Sequence, residues 1–263
     1  MRMRSMLLAR AAPWISAALL VLVWWLGVAA FDVKSYIMPT PGETLASLVR
    51  HWRPLAANGA ITLATTLVGF SATLVFGTLI GMLVGMSRLA HQAIYPLLVA
   101  FNSVPKAALV PIFVVWFGLG AVPAVITAFL LSFFPVVANV ALAFSSIEPE
   151  LVDLIRSLGG SRRDLMVKIG IPRALPYLFA SLKVAITLAF VGSIIAEVIG
   201  GNGGIGNVML VASSNFDMPL VFAALSVVGV LGTGMYALFE LLDRHWASRS
   251  ARPSGLQGIE NAS

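Results

Sequence analysis

Six stretches of this chain stay apolar for about 20 residues, the length a helix needs to cross a hydrocarbon core roughly 30 Å thick. They fall at about 13–31, 61–86, 93–117, 122–144, 175–199 and 219–242. Pro105 and Pro111 interrupt the third, and Pro135 lies inside the fourth. Interior prolines argue against soluble helices. They are tolerated in membranes, where neighbouring helices re-satisfy the freed backbone groups. The expected fold is therefore all-α, a polytopic membrane bundle of six transmembrane helices. Composition agrees: 59% of residues are hydrophobic and 11% charged, against about 25% charged in a soluble domain. The absence of cysteine excludes a disulfide framework and a thiolate metal site.

A net charge of +6 would suit nucleic acid if the basic residues shared one soluble face. They sit instead in short clusters between apolar runs, which reads as membrane orientation, with lipid and not nucleic acid as the partner. An even number of spans places both termini on one side. Of the 17 basic residues, twelve fall on the terminal side, Lys34, Arg50 and Arg53 fall opposite, and Lys106 and Lys183 lie within spans. That asymmetry puts both termini in the cytoplasm. The uncharged run 11–31 exceeds the 7–15 residues of a cleavable signal core, so the first span is expected to be retained. The expected organisation is a cytoplasmic N-terminus at 1–12, a membrane domain at 13–248, and a disordered cytoplasmic tail at 249–263.

Thr65, Gly69, Thr73, Gly77, Gly81 and Gly85 recur every four residues. This small-residue stripe lets another helix backbone approach closely, and it is read as packing rather than as a site. "GNGGIG", 201–206, matches a dinucleotide fingerprint by letter, but it lacks the preceding strand that the fingerprint requires. Its glycines suit either an irregular loop dipping back toward a pore mouth or a plain surface turn. His51, His91 and His245 have no ligand spacing, and there is no phosphate-binding G-x-x-x-x-G-K-[ST] loop, nucleophile elbow or carboxylate pair. Nothing here supports an enzyme.

One charged, glycine-punctuated segment stands out, "DLIRSLGGSRRDLMVKIGIP", 153–172. Pro149 suits a helix start. Leu151, Leu154, Ile155 and Leu158 then form one apolar stripe at helical spacing. Gly159 and Gly160 supply a stop, Ser161 to Asp164 has capping-box form, and Pro172 is expected to close a second short helix. Pattern alone allows an interfacial helix pair lying on the bundle or on anionic lipid.

The segment resembles the EAA loop of ABC-importer permeases, E-A-A-x-x-x-G followed by nine residues and I-x-L-P. Here the pattern falls on Asp153-Leu154-Ile155, Gly159 and Ile169-Gly170-Ile171-Pro172, with the spacing kept and with Asp, Leu-Ile and Ile171 replacing Glu, Ala-Ala and Leu. "MPTPGETLASL", "NSVPKAALVPIFVVWFGLG" and "AEVIGGNGGIGNVM" extend the likeness to the permease subfamily for nitrate, sulfonates, taurine and thiamine-precursor pyrimidines. The resemblance implies a type I ABC importer permease fold in a bacterial inner membrane. It also implies a homodimeric pore, an extracytoplasmic solute-binding protein, and two ATPase subunits that carry ATP and magnesium, leaving no cofactor on this chain. In that family the loop at about 145–173 is a coupling helix seated in a groove of the ATPase. The implied ATPase-coupling residues are Asp153, Leu154, Ile155, Gly159, Ile169 and Pro172.

The rival class is a secondary carrier or channel with no ATPase. Proton-coupled carriers place carboxylates near the midplane, whereas Glu197 lies near the outer end of the fifth run. For the translocation path the candidates are Lys106, Asn102 and Glu197. Lys106 either lines the path, snorkels to the interface or pairs with Glu197. Lys183, closer to the cytoplasmic end, reads as a snorkelling residue.

Overall fold

Every apolar run becomes helix, and the interruptions in the sequence decide how. The computed structural model describes residues 2–250. Helix α1 spans Arg2–Ala30. Helix α2, Pro41–Arg50, starts at a reciprocal capping box. Thr40 caps the Glu43 N–H, and the Glu43 carboxylate accepts from the Thr40 N–H at 2.7 Å. That backbone hydrogen bond holds the Glu43 carboxyl below its usual range. Helix α3 is Trp52–Met86, α4 Arg88–Ser103, α5 Lys106–Phe117, and α6 Ala121–Ser145. Helix α7 is Pro149–Ser157, α8 Arg163–Gly200, α9 Ile205–Ser214, and α10 Met218–Ser250.

Among the described residues, α3, α6, α8 and the Met218–His245 part of α10 are long and apolar enough to cross a membrane. The third expected span is not one straight helix: α4 and α5 meet at 79°. Two prolines in that run behave differently for a positional reason. Pro105 forces Val104 into extended backbone (φ −71°, ψ 130°), which ends α4. Pro111 falls in the first turn of an α-helical stretch, where its missing N–H costs no hydrogen bond. The first run supplies a shorter apolar stretch, Trp14–Ala30. The expected tail lies outside the described residues except for Arg249 and Ser250, which continue α10.

The small-residue stripe of α3 does what its spacing predicts, packing against α6. A Cβ on Gly69 would meet Ala128, one on Gly77 would meet Val136, and one on Gly81 would meet Val140. The stripe is also polar where a hydroxyl can reach across, as in Thr73 Oγ1 and Ser132 Oγ at 2.6 Å. Helices α3, α6, α8 and α10 share one core built on Phe70, Val136, Val140, Ile186, Phe190 and Met235.

Pro172 does not end a helix, contrary to expectation. The turn before it, Met166–Gly170, is π-helical, and the chain runs on as α-helix from Ile171. The wider turn accommodates a residue that has no N–H to donate. As a result α8 is a single helix of 38 residues, roughly 57 Å long at 1.5 Å per residue, with its first turns in the charged segment.

Candidate functional site

The charged segment folds as a helix, a glycine elbow and a second helix start. Gly159 takes φ +75°, and the Gly160 N–H donates to Ile155 O at 2.8 Å, closing the end of α7. Ser161 and Asp164 then cap each other: the Asp164 N–H donates to Ser161 Oγ at 3.2 Å, and the Ser161 N–H donates to Asp164 Oδ2 at 3.0 Å. An ion pair not foreseen from the sequence, Arg173 Nη2 to Glu148 Oε1 at 3.1 Å, joins the base of the segment on both sides.

Along the stripe, Leu154 is 53% and Leu158 75% exposed, while Leu151 and Ile155 are half-buried. Ile155 folds back on the elbow, since a Cβ on Gly160 would overlap its Cγ2. Asp153, Gly159 and Pro172 are exposed and Ile169 is half-buried. Asp153 also faces a cavity of 710 Å³ that it shares with Arg88, His91 and Gln92 of α4 and with Leu165 and Met166. An apolar face left open on a charged element is what a helix presents to a groove on a partner.

Lys106 opens α5 at the break between α4 and α5. Its Nζ donates to Asn102 Oδ1 at 2.8 Å and to Asn102 O at 3.0 Å. The structure brings these two path candidates together and leaves the third elsewhere. The Lys106–Glu197 pair allowed by the sequence does not form.

Glu197 is 2% exposed near the end of α8. Thr62 Oγ1 donates to its Oε2 at 2.8 Å, the Gly206 N–H donates to the same oxygen at 3.1 Å, and Thr65 Oγ1 reaches Oε1 at 3.4 Å. The carboxylate is thus enclosed by the chain's own groups. The glycine run is likewise no surface turn: Gly204, Ile205 and Gly206 are buried. Gly204, at φ +92°, lies so close to the Glu197 carboxyl that a Cβ would fall inside it.

Lys183 is not a snorkelling residue. Its Nζ bridges Glu240 Oε2 at 3.0 Å and Asp243 Oδ2 at 2.8 Å, both from α10, and Arg244 holds the other Glu240 oxygen at 3.0 Å. Glu240 lies inside the last apolar run, and sequence reasoning missed it. A charge at that depth implies a partner, and pairing Lys183 with it was the available signal.

Residues 74–248 match the family model for the binding-protein-dependent transport system inner membrane component. The riboflavin transport system permease protein RibX of Chloroflexus aurantiacus is 30% identical over 235 residues, covering 88% of this chain and 87% of that protein. The formylaminopyrimidine transport permease protein ThiX of Halalkalibacterium halodurans is 30% identical over 226 residues, covering 86% and 90%. The putative aliphatic sulfonates transport permease protein SsuC of Bacillus subtilis is 25% identical over 233 residues, covering 86% and 83%. In fold, the chain superposes on an inward-facing structure of the MetNI methionine ABC transporter with a TM-score of 0.65 at 18% identity, covering 77% of this chain and 99% of the other. The shared fold is that of type I ABC importer permeases. The family match takes in the glycine stripe from Leu74, the broken pair, the charged segment and the last span, so this chain belongs to the binding-protein-dependent inner-membrane components, the permeases of ABC importers.

Proposed function

We propose that two copies of this chain form the translocation path for a small anionic or polar heterocyclic solute, driven by two ATPase subunits seated on the charged segment. The observation that carries this reading is α7, an amphipathic helix with Leu154 and, just past its end, Leu158 open to solvent. It is linked through one elbow to a span that crosses the whole bundle. Asp153, Leu154, Ile155, Gly159, Ile169 and Pro172 form the docking and transmitting element. ATP and magnesium belong to the partner subunits, and this chain converts their closure into alternating access. An extracytoplasmic binding protein delivers the solute at the opposite face. The exposed apolar residues of α5, Val115, Trp116 and Phe117, suit contact with the second copy or with lipid.

Lys106 and Asn102 line the path. Lys106 is half-buried as a residue, the hydrogen-bond acceptors of its ammonium are neutral oxygens, and no ion pair engages it among the described residues. Such a charge favours an anion close by. Sulfonates and formylaminopyrimidine, named for the relatives SsuC and ThiX, mark the chemical range. Lys106→Met keeps the side-chain length and removes the charge. In proteoliposomes holding the complete transporter, import of an aliphatic sulfonate is expected to fall about tenfold or more, the factor for little over 1 kcal/mol of lost attraction. Unchanged import at normal assembly would remove Lys106 from the path.

The orientation rests on the basic asymmetry, with both termini cytoplasmic. Reporter fusions after Met86, after Phe144 and at the C-terminus are expected to report cytoplasm. Fusions near Ala121 and Asn207 are expected to report the outside. An external C-terminus would overturn this orientation.

A further inference from the structure

The first N–H groups of a helix have no partner within it and must find one elsewhere. At α9 they find it across the bundle. The Gly204 N–H donates to Asn58 Oδ1 at 2.9 Å, the Ile205 N–H donates to Thr62 Oγ1 at 2.9 Å, and the Gly206 N–H donates to Glu197 Oε2 at 3.1 Å. Thr62 closes the set by donating to Glu197. Two of the three acceptors belong to α3, more than 140 residues away in sequence, and one to the end of α8 just before the turn, so the start of α9 is capped by two other helices. No basic side chain is among the hydrogen-bond partners of Glu197 within the described residues. The carboxylate is held by hydroxyls and by a helix N-terminus, both of which stabilise negative charge. The same junction takes in the link between α5 and α6, because the Gly120 N–H donates to Gly200 O at 3.1 Å.

Glu197 sits at one end of α8, and the charged segment sits at the other. The helix runs continuously between them, with a π-turn at Met166–Gly170 and prolines at Pro172 and Pro176, all near the charged segment, and no proline from Tyr177 to Gly200. A continuous helix with one end on a docking element and the other pinned to three further elements can act as a lever.

We propose that Glu197 is a positioning residue for transport: with Thr62 and Asn58 it pins the far end of α8 to α3 and α9, so that displacement of the charged segment moves the outer ends of these helices as one body. The proposal rests on the charged segment being the ATPase-docking element. The pin acts at the opposite face and does not contribute to docking. Without it, movement of α8 is taken up locally in the 201–206 turn and does not reach the outer mouth.

The chain has no cysteine, so one introduced residue gives a clean reporter. Asn202 is exposed in the pinned turn, with its side chain beside Gly120. In the complete transporter carrying Asn202→Cys, the rate of modification by a membrane-impermeant maleimide is measured with and without ATP plus vanadate. With Glu197 intact, nucleotide trapping is expected to change that rate about threefold or more, as the gain or loss of one hydrogen bond would. In Glu197→Ala the nucleotide response is expected to vanish, while ATPase association and basal hydrolysis remain. Glu197→Gln keeps an acceptor for the Gly206 N–H and is expected to restore most of the response. Thr62→Val keeps the shape, removes two links of the pin and is expected to reduce the response. It serves as the test if Glu197→Ala does not accumulate. A response that persists in Glu197→Ala, or in Thr62→Val where only that variant accumulates, overturns the pin. No response with Glu197 intact, in a complex that binds its ATPase and hydrolyses ATP, overturns the lever. Failure of the parent chain to bind an ATPase through the charged segment overturns the docking assignment, and the lever with it.

Discussion

The double variant Leu154→Asp, Ile155→Asp is expected to insert and fold normally and to lose its ATPase. Leu154 is open to solvent, so a charge there costs the isolated bundle little. Ile155 is half-buried against the elbow at Gly160 and carries the larger local cost. Docked in a groove, each apolar side chain would contribute about 1.5–3 kcal/mol through burial. Removing both, and bringing two carboxylates into their place, should weaken association by about 100-fold or more. Pull-down of the ATPase and solute-stimulated hydrolysis in proteoliposomes measure this. Gly159→Val probes the elbow separately. There is open space around Gly159, so no clash contributes, and the effect is the strain of a β-branched residue at φ +75°. That strain is about 1–3 kcal/mol, enough to re-aim α7 relative to α8. If both variants couple fully, the segment is only an interfacial helix pair.

Gly204→Ala is expected to prevent stable accumulation of the chain. Two costs fall on one methyl group. Backbone at φ +92° disfavours any side chain by about 1–3 kcal/mol. The new Cβ would also occupy the space of the Glu197 carboxyl, and such overpacking costs about 1–3 kcal/mol more. Moving the carboxylate to make room would strand the Gly206 N–H and the Thr62 hydroxyl in a buried site. Gly229→Ala is the matched control, being helical with nothing within 4 Å of the added methyl. There, alanine should be neutral or stabilising by about 0.5–1 kcal/mol. Membrane yield and thermal unfolding in detergent distinguish the two. A normal yield of Gly204→Ala would mean that the turn rearranges freely and that Glu197 does not hold it.

Much of the architecture could be read locally, because hydrophobic period and length encode which segments become membrane helices and which face each one buries. The four-residue stripe from Thr65 to Gly85 signals a close approach, and α6 fills it from Gly69 onward while Thr65 meets α8. The elbow was equally legible: Gly159 and Gly160 stop α7, and Ser161 and Asp164 cap the start of α8, because each signal acts within five residues. Proline was less legible. Whether it breaks a helix depends on where it falls in the helical register and on whether the turn before it can widen. Pro105 therefore splits the third run while Pro172 lies within α8. Which groups meet across the bundle was far less legible. Thr62 and Glu197 are 135 residues apart in sequence, and Lys183 lies 57 and 60 residues from its two carboxylates. A charge inside a membrane must be satisfied, and the sequence says so. Which group satisfies it depends on which helices stand side by side, and that is set by the packing of whole surfaces. The sequence by itself thus determined the apolar runs that become helices, the close-packing stripe of α3 and the apolar stripe and glycine elbow of the charged segment. Only the tertiary structure decided that Lys106 turns to Asn102, that Lys183 ties α8 to α10, and that Glu197 closes the far end of the helix that begins at the elbow.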